Sequence, residues 1–278
     1  MSAAGGPQLS TSLSIQTTFM FIDTHTHLYV KAFDSDREAM LARALAAGVD
    51  AFYLPNIDVG SIDSMLALEE AHPGVCFAMM GLHPCSVKED YETALATMEG
   101  WLAKRRFVAI GEIGIDLYWD KTFVAQQQEA FLIQAGWAVD RGLPFVIHSR
   151  ESIDMIIELM QKNWKSGMRG IFHCFTGTTE QAQAIIEMGF YLGIGGVLTF
   201  KNAGMDKVLK EIPLDHMVLE TDAPYLAPVP NRGKRNESSY IPLIANKLAE
   251  VKECSLEEIG RVTTINSEKI FGSTNQST

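Results

Sequence analysis

Short apolar runs of strand character alternate along this chain with stretches in which apolar residues recur every three to four positions. The strand-like runs are Phe19–His25, Ala51–Leu54, Cys76–Gly81, Phe107–Glu112, Pro144–His148, Arg169–His173, Phe190–Gly195 and His216–Asp222. Between them the period lengthens to about 3.6 residues, the repeat of a helix that buries one face. Ile153, Ile156, Ile157 and Met160 follow that period, as do Ile62, Met65 and Leu66, and again Ile241, Ile244, Ala245 and Leu248. Ser35 with Glu38 and Ser255 with Glu258 have the spacing of capping boxes, and Gly48 and Gly142 stand where helix stops are expected. Strand followed by helix, eight times over, predicts an α/β fold closed into a TIM (β/α)8 barrel. An open doubly wound sheet would carry a Gly-rich phosphate turn after its first strand, and here that strand runs into His25-Thr26-His27.

Composition sharpens this picture without changing it. A chain of 278 residues, 47% hydrophobic, fits one large domain, read as residues 20–272. Residues 1–19 are uncharged and rich in Ser, Thr and Gly, as expected of a disordered leader or appended extension, and residues 273–278 are expected to form a flexible tail. No apolar run is long enough to span a bilayer. The four cysteines are dispersed, which predicts buried free thiols in a reducing compartment and a cytoplasmic location. The net charge of −11 argues against a surface that coats nucleic acid, although bound cations leave room for a nuclease. A monomer is the expectation.

The predicted strand ends share one chemistry. His25 and His27 close the first strand, Glu112 the fourth, His148 the fifth, His173 the sixth and Asp222 the eighth. In a closed barrel these ends form a single ring at the mouth where active sites are built. His25 and His27 project from one strand face with Cα atoms roughly 6.6 Å apart, a spacing that suits a shared cation. His-x-His alone is equally a mark of ordinary strand histidines; the ring is what points to metal. Six imidazole and carboxylate ligands overfill one catalytic site, so two divalent ions with Glu112 as bridge are expected, and Mg, Mn and Zn all suit a donor set without thiolate. Asp222 is placed to touch both a metal and the attacking water, which marks it as the general base. Glu220 and Asp23 are candidates for orienting the imidazoles.

The motifs around these residues resemble the TatD family of metal-dependent deoxyribonucleases within the amidohydrolase superfamily. They are Phe21-Ile22-Asp23-Thr24-His25-Thr26-His27, Gly81-Leu82-His83-Pro84, Gly111-Glu112-Ile113-Gly114-Ile115-Asp116, His148-Ser149-Arg150, His173-Cys174-Phe175-Thr176-Gly177 and Glu220-Thr221-Asp222-Ala223-Pro224. The resemblance runs from Met20 to about Phe271, with the motifs in family order. It implies that His25, His27, Glu112 and Asp222 hold one metal and that Glu112, His148 and His173 hold the other. It implies further that His83 contacts a substrate phosphate and that the substrate is DNA, with single-stranded ends attacked. Ser238 departs from the pattern, since many relatives carry Pro there.

Cations near the expected mouth fit an anionic substrate. Arg232, Lys234 and Arg235 cluster after the last strand, and with Arg150 they could engage phosphates flanking a scissile bond. Phe175, Tyr118, Trp119 and Tyr225 offer rings for a terminal base. The leading expectation is a 3′-to-5′ exonuclease on single-stranded DNA. The same site could instead hydrolyse an amide, an ester or an aminoacyl-tRNA, because activated water attacks carbon as well as phosphorus. A metal-stabilised scaffold without catalysis is the third reading, disfavoured by so many ligand types at strand ends.

Overall fold

The computed structural model describes residues 21–272, so the expected leader, the tail and the first two residues of the predicted first strand lie outside the described residues. Among the described residues eight parallel strands alternate with helices. The strands are β1 (Phe21–Asp23), β2 (Val49–Leu54), β3 (Cys76–Ala78), β4 (Ile110–Asp116), β5 (Phe145–Arg150), β6 (Gly170–Phe172), β7 (Phe190–Ile194) and β8 (Met217–Leu219). The helices are α1 (Arg37–Ala46), α2 (Ile62–Ala71), α3 (Tyr91–Lys104), α4 (Val124–Arg141), α5 (Ile153–Lys162), α6 (Thr179–Glu187), α7 (Met205–Glu211), α8 (Ile241–Lys252) and α9 (Leu256–Phe271). The strands pair in order as β1-β2-β3 and β4-β5-β6-β7-β8. The two ladders are not continuous; isolated backbone bonds join them. At one seam the Val108 amide donates to the Ala78 carbonyl (3.2 Å) and the Gly111 amide to that of Met80 (3.0 Å). At the other the Thr24 amide donates to Leu219 (3.0 Å) and that of Asp222 to His25 (2.9 Å).

Alternation along the strands separates two apolar layers, as the period of two requires. Ile22, Tyr53, Met79, Ala109, Val146, Ile171 and Val218 form an inner cluster, against which Ile270 and Phe271 of α9 pack. Phe52, Leu54, Ile110, Phe145, Ile147, Phe172 and Leu192 face outward into the larger core shared with the helices. That core takes up the predicted stripes: Ile156 and Met160 of α5 and Ile241, Ile244, Ala245 and Leu248 of α8 are all fully buried.

Strand β4 departs from the alternation, and the departure builds the site. Its register against β5 shifts between Ile110 and Ile113. An extra residue there lets Ile110 and Ile113, three apart, both face the outer core, and it turns Glu112 toward the lumen. Glu112 therefore lies inside the strand, not at its end as expected, because β4 runs on to Asp116. Gly114 makes this course possible. Its φ of +147° is one that other residues rarely adopt, and a Cβ there would lie 2.0 Å from the His148 carbonyl oxygen. Gly114→Ala is expected to cost about 3 kcal/mol or more in a urea titration, through backbone strain and overpacking together.

The helix ends correct one expectation. Ser35 caps nothing, since α1 starts after Asp36 and has no side-chain cap. Ser255 does cap α9, accepting from the Glu258 amide at 3.1 Å, while the Glu258 carboxylate turns to Arg261. Reciprocal boxes occur instead at Thr178 with Gln181 and at Asp58 with Ser61. Gly142 ends α4 in the left-handed conformation (φ 65°), as predicted. The four cysteines are free, but only Cys76 is fully buried, its thiol pushed up to about 12 by burial; the others are half-buried. Among the described residues no helix is long and apolar enough to cross a membrane.

Candidate metal centre and active site

The ring read from the sequence converges on one carboxylate. Glu112 is 2% exposed, and five imidazoles stand around it. Its Oε2 lies 3.2 Å from His25 Nε2 and 3.6 Å from His27 Nε2. Its Oε1 lies 2.9 Å from His148 Nδ1, 2.9 Å from His173 Nε2 and 3.5 Å from His83 Nε2. The two oxygens thus divide the histidines into two sets. Asp222 joins the first, with Oδ1 3.8 Å from His25 Nε2 and 3.6 Å from His27 Nε2.

Neighbouring groups fix the tautomers of His27, His83 and His148. The Tyr29 hydroxyl donates to the Pro55 carbonyl (2.5 Å), so it accepts from His27 Nδ1 (3.0 Å) and leaves the Nε2 lone pair facing Glu112 and Asp222. The Cys85 amide donates to His83 Nδ1 (3.0 Å), which places the proton of the neutral ring on Nε2. His148 Nε2 donates to Asp116 Oδ2 (2.8 Å), leaving Nδ1 toward Glu112. Glu220 Oε1 lies 3.4 Å from His173 Nδ1 and accepts from the Cys174 amide (2.5 Å). Gly193 makes room for Glu220, because a Cβ there would come 2.1 Å from Oε2.

The electrostatics call for positive charge among these donors. Burial alone would raise the Glu112 carboxyl, but His173, His83, His25 and the bond to His148 hold it well below the ordinary range. Burial disfavours charge on His173 too, yet Glu112 and Glu220 overcome it and push the ring well above its usual value. His148 is raised as well, against burial, by its bonds to Asp116 and Glu112. Both nitrogens of His25 are buried without a hydrogen-bond partner, as is Glu220 Oε2. Orphaned donors of this kind fit a bound cation. Three sets place one ligand atom per residue within 4.8 Å: His25, His27 and Asp222; His25, Glu112 and His173; His83, Glu112 and His148. The residues present therefore fit divalent metal.

Other expectations divide. Asp23 orients no imidazole. Its Oδ1 accepts from the Thr221 amide (2.9 Å) and its Oδ2 from the hydroxyls of Thr221 and Ser238 (2.6 Å each), with the carboxyl raised to about 7 by burial. Ser238, the departure from the family pattern, thus supplies a hydrogen bond that Pro lacks. Arg235 is not free at the mouth. Its guanidinium makes two 2.7 Å bonds to the Asp36 carboxylate and lies 4.6 Å from the Phe33 ring, so it ties the segment before α8 to α1. Arg232 is exposed over Phe200, and Arg150 is exposed over Tyr118. Phe175 is 3% exposed and offers no face to a base; Tyr225, 54% exposed, borders His27 at 6.3 Å.

Sequence reasoning missed Tyr29, Asn56 and Asp116. Asn56 accepts the Glu112 amide on its carbonyl (3.2 Å), and no motif spacing announces it. Asp116 had a signal, since it lies four residues beyond Glu112 in the same motif. Its removal tests the orienting role: Asp116→Asn is expected to weaken metal affinity about 10- to 100-fold in a chelator-competition titration. Wild-type affinity would remove Asp116 from that role.

Comparison with known proteins agrees with the geometry. Residues 22–272 match the family described as TatD related DNase. YabD of Bacillus subtilis (strain 168), an uncharacterized metal-dependent hydrolase, is 39% identical over 253 residues, spanning 91% of this chain and 99% of its own. The 3′-5′ ssDNA/RNA exonuclease TatD of Edwardsiella piscicida is 32% identical over 257 residues, 90% of this chain and 98% of its own. The crystal structure of YjjV, a TatD homolog from Escherichia coli K12, superposes with a TM-score of 0.87 at 29% identity, covering 92% of this chain and 99% of that one.

Proposed function

This chain belongs to the TatD-related DNase family of metal-dependent hydrolases, and on that premise we propose that it shortens single-stranded DNA from the 3′ end by hydrolysing phosphodiester bonds. The observation that carries the reading is the division of the imidazoles between the two oxygens of Glu112. That division supports two divalent cations, drawn from Mg, Mn or Zn, each of which Glu112 would help to hold. His25, His27 and Asp222 would hold one with Glu112 Oε2, and His148 and His173 the other with Glu112 Oε1. When bound, such a pair acidifies water and neutralises phosphate charge.

The chain's own groups do the rest. Asp222 is held below the ordinary carboxylate range: burial would raise it, but the facing rings of His27, His173 and His25 prevail. It is therefore ionised, and the oxygen not turned toward His25 and His27 would be free to take a proton from the attacking water. His83, with its proton on Nε2, can donate to a phosphoryl oxygen beside Glu112. Arg150 and Arg232, both exposed, can meet the flanking phosphates. A cytoplasmic monomer completes the reading.

The test is end-labelled single-stranded DNA, incubated with protein stripped by chelator and reloaded with Mg, Mn or Zn. Stepwise shortening from the 3′ end that is lost on chelation and restored by metal is the expected result. Intact DNA with every metal, alongside turnover of a carboxylic ester, an amide or an aminoacyl ester, would overturn the nuclease assignment.

A further inference from the structure

Beyond β4 and β5 the mouth carries two exposed aromatic rings that the hydrolytic chemistry does not use. Tyr118 is 49% exposed and Trp119 is 68% exposed, the more open of the pair. Scattered exposed aromatics are ordinary, but these meet at right angles with centroids 4.9 Å apart. The Arg150 guanidinium lies 4.0 Å from the Tyr118 ring centre and 5.5 Å from that of Trp119. Both rings are held from the backbone. The Tyr118 and Trp119 amides each donate to Asp116 Oδ1 at 2.9 Å, and the Leu117 amide donates to the Arg150 carbonyl at 3.0 Å. The other oxygen of Asp116 takes the His148 proton at 2.8 Å. One buried carboxylate thus sets the aromatic pair and a ring of the candidate metal centre in fixed relation.

We infer that Tyr118, Trp119 and Arg150 form a subsite for the unpaired base of the nucleotide at the attacked end, with Trp119 as the stacking face. This rests on the nuclease reading and deepens it. A rigid indole presents a flat apolar face at low entropic cost, and every base has a matching π-face, so such a subsite accepts all four. Arg150 sits over Tyr118, where its charge is also near enough to the rings to meet the adjoining phosphate. A base paired within a duplex has no free face to offer, so the subsite favours frayed or single-stranded ends. Asp116 is a positioning residue for this platform and does not touch the substrate.

The experiment is a cycle between residue and substrate. Wild type and Trp119→Ala are compared on oligonucleotides whose terminal nucleotide carries its base or is abasic. Dissociation constants are read by anisotropy with chelator-treated protein, and KM and kcat with metal-loaded protein. Removing either the indole or the base is expected to raise KM and Kd about tenfold to a hundredfold, with kcat little changed. Removing both is expected to cost no more than removing one, and Trp119→Phe to recover most of the loss. Equal constants with and without the base, or losses that multiply independently, overturn the subsite while the nuclease stands. Oligonucleotides neither bound nor cut overturn both.

Discussion

Glu112→Gln is expected to abolish hydrolysis, lowering kcat/KM at least about a thousandfold, or roughly 4 kcal/mol in the barrier. The amide has the shape of the carboxylate but only one acceptor oxygen and no charge. In the native site the two oxygens face different histidines, Oε2 toward His25 and Oε1 toward His148 and His173. A glutamine can serve only one of these sets. Metal binding, read by calorimetry on chelator-stripped protein, should therefore fall from two ions to one or none. Two ions retained together with activity within tenfold of wild type would show that Glu112 bridges nothing.

Asp222→Asn is expected to lower kcat about 10²- to 10⁴-fold, the usual contribution of a positioned general base. The backbone favours this substitution as a clean test. Asp222 sits in the left-handed region at φ 57°, which Asn adopts more readily than most residues, and its amide bond to the His25 carbonyl is independent of the side chain. The variant should melt near the wild-type temperature. An asparagine can still offer one oxygen beside His25 and His27, so metal affinity should fall less than in Glu112→Gln. Wild-type kcat in Asp222→Asn would move the base elsewhere in the ring.

The candidate ligands were legible because each sits at or just past a strand, where alternation and chain order alone bring His25, His27, His148, His173 and Asp222 to one end of the barrel. Glu112 was legible as a candidate ligand but misplaced within its strand, as was His148, since β5 runs on to Arg150. A bulge leaves no period of its own in the sequence, and only the register against β5 shows the extra residue. Arg235 read as a free cation since residue type cannot reveal a partner 199 positions away, and Asp36 is such a partner. Tyr29 and Asn56 were invisible for the same reason: each acts through a bond whose other end lies on a different strand or loop. Phe175 was read as a surface ring, although the fold buries it.

By itself, then, the sequence determined the architecture and the candidate donor set. Hydrophobic period is a local property, and ligand types are fixed by the residues themselves. The tertiary structure alone decided how the donors divide between two oxygens, which nitrogen His27 and His148 turn toward Glu112, and which arginines remain unpaired. Those depend on contacts between residues far apart in the chain, where hydrogen-bond direction and charge are set by whatever the fold places within about 3 Å.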